Sequence, residues 1–163
     1  MIADVEARLS IANVDTGEVL EVLANPTEIT EARAASFARI QAIGLGHRPL
    51  HYAGSDNATW RTSLWIDRHV ATERGGAFDP DGFARFLRAL TVPGLVLGEP
   101  APAPPKAVLV WPGVLNATVF LTSLSLRFEE FGSDARPTRY VATCEFEEAL
   151  SARIFSEQIR GAS

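Results

Sequence analysis

Hydrophobic and polar residues alternate along several stretches of this chain, and each alternation predicts a strand. Over residues 4–12, Val5, Ala7, Leu9 and Ile11 share one parity while Glu6, Arg8 and Ser10 take the other, the pattern of a half-buried strand. Asp15-Thr16-Gly17 supplies a turn, and Glu18 to Leu23 follows as the second arm of a hairpin. The most regular stretch is Thr59 to Asp67, with Trp60, Thr62, Leu64 and Ile66 on one face and Arg61, Ser63, Trp65 and Asp67 on the other. Its aromatic and β-branched content suits a pleated surface. Near the C-terminus, Lys106 to Trp111 reads as a short apolar strand and Thr118 to Glu130 as a long one, with Phe120, Leu124, Leu126 and Phe128 on one parity. Phe131 to Pro137 is a turn, after which Tyr140, Ala142, Cys144 and Phe146 alternate with Val141, Thr143, Glu145 and Glu147. The last two strands predict a long antiparallel hairpin.

Other segments follow different rules. Pro26 removes a ladder donor and biases Asn25 away from helix. Thr27 to Ile40 reads either as helix, from its alanine and arginine content, or as extended chain from Thr27 to Arg33. Gly44-Leu45-Gly46 and Pro49 force a loop, and Arg68 to Ala77, polar and ending at Gly75-Gly76, is expected to be another. Asp79-Pro80 opens a helix, because Asp79 can cap the free N–H groups and Pro80 fits the first helical position. Phe83, Phe86, Leu87 and Leu90 then form one apolar stripe, and the helix ends before Pro93-Gly94. Glu99 to Pro105 is a proline-rich spacer, and Leu150 to Ile159 reads as a terminal helix or a tail.

The chain has 163 residues, enough to bury a core without disulfides or metal, and its hydrophobic fraction of 47% is that of a globular protein. It contains no apolar run long enough to span a bilayer, and the charged residues Asp4, Glu6 and Arg8 break any signal-peptide pattern, so folding in the cytoplasm and no membrane partner are expected. Cys144 is the single cysteine, which leaves no intrachain disulfide and no cysteine-based zinc site. Net charge is −5, and such an acidic balance argues against gripping phosphate backbones.

Candidate chemistry is thin. His47 and His51 stand four apart, but Pro49 between them opposes the helix that would bring them to one metal. Asp79-Pro80-Asp81-Gly82 echoes a calcium loop, yet Phe83, Arg85 and Phe86 occupy the remaining ligand positions. Gly44-Leu45-Gly46 lacks the third glycine of a dinucleotide turn, and Ser123 sits inside a strand with no base suggested nearby. Asn57-Ala58-Thr59 and Asn116-Ala117-Thr118 are formal glycosylation sequons without an export signal. Glu145, Glu147 and Glu148 form the densest carboxylate group, at a spacing that fits a solvated strand end better than an acid–base pair. Trp60, Trp65 and Trp111 suit a core or a subunit interface more than a stacking platform, and Trp65, on the polar parity, suits an interface best. No catalytic, cofactor-binding or metal residue is assigned, and no cofactor is expected.

Pro104-Pro105-Lys106-Ala107-Val108-Leu109-Val110-Trp111-Pro112-Gly113 is similar to the strand pattern P-P-x-V-x-F-x-W-G. Phe120-Leu121-Thr122-Ser123-Leu124-Ser125-Leu126-Arg127-Phe128 is similar to G-V-L-T-S-L-S-V-x-Y, and Phe131-Gly132-Ser133-Asp134-Ala135-Arg136-Pro137-Thr138-Arg139 to L-F-x-x-D-G-x-P-x-R-A. Upstream, Asn25-Pro26-Thr27-Glu28 resembles F-N-P-x-E, and Ser63-Leu64-Trp65-Ile66-Asp67 resembles L-x-L-F-F-D. In this order, over residues 19–149, the five segments resemble those of contractile injection system tube proteins, including the tube initiators and spike adaptors of contractile phage tails. Pro112 interrupts the tryptophan–glycine pair, Ala135 stands where the turn glycine is expected, and residues 27–46 match none of the patterns.

The resemblance implies a mostly β (α+β), tail-tube-like β-barrel or sandwich with long antiparallel hairpins and one amphipathic flanking helix. A single domain over residues 1–163 is expected, with residues 1–24 as an added N-terminal hairpin and 150–163 as a tail or short helix. The implied role is structural and not enzymatic: a virion or baseplate tube initiator, a homo-hexameric ring joining the spike hub to the tail tube. DNA or cargo would pass its lumen without specific binding. The alternatives are a main tail tube protein of the same fold and, from a different class, a small-ligand-binding β-barrel.

Overall fold

The computed structural model describes residues 7–41 and 43–149. The segment 150–159 and the first residues of the earliest predicted strand lie outside this range. Strands β1 (Ser10–Asn13) and β2 (Val19–Glu21) form the expected N-terminal hairpin, with Ile11 opposite Leu20. Leu9 and Ile11 are fully buried, as the alternation requires. The ambiguous stretch is extended: β3 (Ile29–Ala32) and β4 (Ala35–Arg39) run in succession, and β5 (Leu50–Ser55) and β6 (Thr59–Asp67) return alongside them. Helical propensity loses here because β3 pairs with the strong strand β6, and Thr62 Oγ1 donates to the Glu28 carbonyl at 2.7 Å.

The expected loop after β6 is instead the short helix α1 (Arg68–Glu73). Asp67, the last strand residue, caps it: its carboxylate accepts from the N–H of His69 at 2.8 Å and of Val70 at 3.3 Å. Ala71 fills the core-facing position, and Gly75 and Gly76, both at positive φ, end the turn. Helix α2 (Pro80–Ala89) forms where predicted. Asp79 caps it, and Gly82 leaves room for that carboxylate where a Cβ would collide with it. Phe83, Phe86, Leu87 and Leu90 are all buried against the sheet, each contributing about 1.5–3 kcal/mol of apolar burial. A two-residue ladder, β7 (Leu95–Val96) with β8 (Glu99–Pro100), takes the first residues of the expected spacer into a small hairpin.

The C-terminal strands are β9 (Ala107–Trp111), β10 (Leu115–Phe131) and β11 (Pro137–Glu148). Pro112 and Gly113 occupy the central positions of the β9–β10 turn. Val114 N–H donates to the Trp111 carbonyl at 2.9 Å and Gly113 takes φ 78°, a type II arrangement that suits proline followed by glycine. The proline within the tryptophan–glycine pair is therefore a turn residue. At the β10–β11 turn, Ala135 adopts φ 60°, the left-handed conformation for which glycine is the unstrained choice.

One expectation about β10 is overturned. Leu121 pairs with Phe146 and Ser123 with Glu145, so Thr122 is an extra residue, a β-bulge. The bulge switches parity: Val119 and Leu121 face the core before it, Leu124 and Leu126 after it, and Phe120 lies on the opposite face from Leu124, Leu126 and Phe128. On β11, Tyr140, Ala142, Cys144 and Phe146 are buried as predicted.

Seven strands make one antiparallel sheet in the order β2-β1-β9-β10-β11-β6-β3. The chain is mostly β, and the sheet curls into a half-barrel. The helices cover its concave, apolar side, where Tyr140 Oη donates to the Pro80 carbonyl at 2.7 Å.

Candidate functional site

The residues first considered for chemistry are scattered and engaged in structure. His47 and His51 lie exposed on the β4–β5 hairpin, one in its connecting loop and one in β5. Gly44-Leu45-Gly46 belongs to the same loop. Asp79 caps α2 and faces Arg85, while Asp81 pairs with Arg68 at 3.0 Å. Among the described residues no group of three or more His, Cys, Asp or Glu is placed to hold a metal. Ser123 is exposed beside the bulge. The three glutamates near the end of β11 diverge: Glu145 pairs with Arg61 at 3.2 Å, Glu147 accepts from Asn57 and Glu148 from the N–H of Ala58. Asn116 is exposed within β10. Burial pushes the Cys144 thiol up to about 12 and raises the Tyr140 hydroxyl as well.

The tryptophans divide. Trp60 is buried and Trp111 packs half-buried against the core. Trp65 is 39% exposed on the convex face, with the Arg139 guanidinium 5.7 Å from its ring. Arg139 also ties the end of β11 to the α1 cap, donating to Asp67 at 3.1 Å and to Glu130 at 2.9 Å. Burial alone would raise the Asp67 carboxyl, but the Arg139 hydrogen bond and the N–H groups of Val70 and His69 together hold it below the usual value.

The geometry that stands out is at surfaces and edges. Among the described residues, no element covers the convex face of β6, β11 and β10. That face presents hydroxyls at Ser63, Thr143 and Ser125, and its charges are matched: Arg61 with Glu145, Arg127 with Glu129 at 2.7 Å, Arg139 with Glu130. The acidic excess of the chain lies elsewhere. Residues 9–32 hold Asp15, Glu18, Glu21, Glu28 and Glu31 and no base. The long strands also leave free edges. β9 pairs only with Leu115–Val119 of β10, so among the described residues no strand covers that side of β10 from Phe120 to Phe131. On β6, β3 covers Thr59–Thr62 and leaves Ser63–Asp67 open. Grooves flank both edges: one of about 470 Å³ between Arg88 and Thr91 of the α2 end and Leu124–Phe128, and one of about 250 Å³ beside Thr27–Thr30 and Arg61–Ser63.

The third feature is an arm that the sequence reading missed. β4 and β5 continue β3 and β6 past the body of the sheet and pair only with each other. Nearly every residue on them is exposed, including Phe37, Leu50 and Tyr52. Phe37 and Tyr52 pack edge to face at 5.8 Å, and Arg33, which bonds Glu31 and lies 3.8 Å from Glu148, holds the base. A signal was present: residues 33–55 contain Arg33, Arg39 and Arg48 and no carboxylate, in a chain of net charge −5. No described helix is long and apolar enough to cross a membrane.

No curated protein sequence matches the chain. A protein-family model described as contractile injection system tube protein matches residues 6–154, a span that takes in the N-terminal hairpin. The chain belongs to that family, whose members are structural tube components of an injection particle.

Proposed function

We propose that this contractile injection system tube protein is a tube initiator: a hexameric ring that joins the spike hub to the first ring of the tail tube. The observation that carries the reading is the pair of free edges. An antiparallel sheet that ends in unpaired N–H and C=O groups on β10 and on β3–β6 is completed when the β3–β6 edge of one copy adds to the β10 edge of the next. Where β3 is the joining strand, the four strands β10, β11, β6 and β3 lie between the edges, so that junction is antiparallel like the rest. Because the two edges differ, the contact is head to tail, and such a contact closes into a ring when its rotation per copy divides a full turn.

With the helices on one side of the sheet, the convex face of β6, β10 and β11 lines the lumen. Its paired charges and hydroxyls supply no free basic cluster, which suits DNA or cargo passing without specific binding. The ends of the long strands differ in chemistry. The β10–β11 turn carries Glu130, Asp134 and Arg136 beside exposed Phe131, whereas the β9–β10 turn presents Val114. Unlike ends suit an adaptor that faces two different proteins. Assembly takes place in the host cytoplasm, and the ring acts within the virion or injection particle.

The test is particle mass of the purified protein, alone and then mixed with its spike and tube neighbours. A hexameric ring, formed alone or on the spike, is expected. A monomer that ignores both neighbours overturns the reading.

A further inference from the structure

The β4–β5 arm is an incomplete object. Two strands paired only with each other are marginally stable in water. On this arm Phe37 is 53% exposed, Leu50 58% and Tyr52 59%. Arg39 and Arg48 make no ion pair among the described residues, unlike Arg33 at the base. The arm is thus an apolar finger with positive charge and no carboxylate of its own.

A surface of opposite character lies at the other margin of the same sheet. β2 is the end strand opposite β3, and its outer side pairs with nothing among the described residues. Beside it runs a groove of about 430 Å³, floored by Val19, Phe78 and Phe83 and rimmed by Glu18, Glu21 and Asp79. Glu18 and Glu21 make no ion pair among the described residues. Two arginines also border the groove: Arg8, and Arg74, which is turned inward to donate to the Leu23 carbonyl at 2.6 Å.

We propose that the β4–β5 arm of one copy docks along the β2 edge of a second copy, with its aromatic residues on Val19 and Phe78 and Arg39 and Arg48 against Glu18 and Glu21. Charge complementarity selects the occupant: the acid-free segment 33–55, with Arg33, Arg39 and Arg48, and the base-free segment 9–32 stand on one chain. Position agrees with charge. Arm and groove belong to opposite end strands, so each copy offers one to each side, a head-to-tail contact that repeats around a ring. The inference rests on the chain assembling with itself. It adds a clasp outside the continuous sheet, and it can fail while the ring survives.

The test uses the full-length protein, assembled alone or on its spike and tube neighbours, with sedimentation velocity and native mass spectrometry across a concentration series. Arg39→Glu with Arg48→Glu, and separately Glu18→Arg with Glu21→Arg, should each weaken self-association at least about tenfold; combining all four should restore it to within about threefold. All four positions are exposed, so melting curves should not move. A combined variant as weak as either pair overturns the docking. Unchanged rings in every variant overturn it too, while leaving the ring reading intact. Arm variants that lose a neighbouring protein but keep self-association overturn the second copy as occupant. Arm-to-groove pairs without a ring support the docking and sink the ring; a chain that never associates sinks both. As an independent readout, Arg48→Lys with carbodiimide coupling in a mixture of isotopically heavy and light copies should join the introduced amine to Glu18 or Glu21 of the other copy. Coupling only within one copy overturns the docking.

Discussion

The strand pair β3–β6 and the strand pair β4–β5 are one hairpin, yet its two halves live by different rules. In the body, β6 alternates strictly: Trp60, Thr62, Leu64 and Ile66 are buried and Arg61, Ser63 and Trp65 are exposed. In the arm, inward and outward have no meaning, because neither face is buried among the described residues. The apolar residues of the arm accordingly follow no period, and they remain apolar although exposure gains them nothing. Body strands are written for a core inside the same chain. The arm is written for a surface that the described residues do not supply.

The sharpest way to break this contrast is to truncate one large residue in each half. Phe83→Ala, in the body, should lower unfolding free energy by about 3–5 kcal/mol in a denaturant titration. A loss under 1 kcal/mol, on the order of a surface change, would mean that α2 does not anchor the core. Next in size is Asp67→Ala, which removes the α1 cap and the partner of Arg139 together and should cost about 2–3 kcal/mol. Asp67 also sets a pH signature. Its folded value lies below that of an ordinary aspartate, so its contribution is complete above the ordinary value and is lost as pH falls through the folded value. Chemical denaturation at neutral pH and near pH 3 should show a smaller pH dependence for Asp67→Asn than for the natural chain.

Ala135→Gly acts in the opposite direction. It relieves a left-handed alanine and should raise stability by about 1 kcal/mol, read as a higher denaturant midpoint at constant slope. The smallest effect belongs to the arm: Phe37→Ala should change the stability of the isolated chain by no more than about 0.5 kcal/mol. Amide exchange should likewise be fast over 35–55 and slow over β6 and β11. A loss of about 2 kcal/mol or more for Phe37→Ala would show the arm to be packed and erase the distinction between the halves.

What the sequence disclosed follows the same line. Where a strand has one buried face, as in β6 and β11, alternation located it to within about three residues. The α2 stripe and its cap were equally legible. Helix α1 was missed because it is short and buries only Ala71, so its signal lay in Asp67, which the alternation assigned to the strand. The parity of β10 was misread because a bulge leaves no mark in residue type; Thr122 is as ordinary in a strand as its neighbours. The arm escaped because neither of its faces is buried among the described residues, and periodicity reports only burial within the chain. Its charge gave the better clue. Trp65, suggested by parity to be exposed, is exposed.

The bulge at Thr122 also sets a rule for how this chain can change length. Donating to the Glu145 carbonyl at 3.1 Å, Thr122 fixes the point where β10 changes phase. Losing that one residue would turn Leu124, Leu126 and Phe128 outward and bring Ser125 and Arg127 into the core. Losing two would keep the phase and merely shorten the strand. Insertions and deletions in β10 are therefore read by whether they are odd or even, whereas the 40–49 loop of the arm, which keeps no phase with any core, can vary residue by residue.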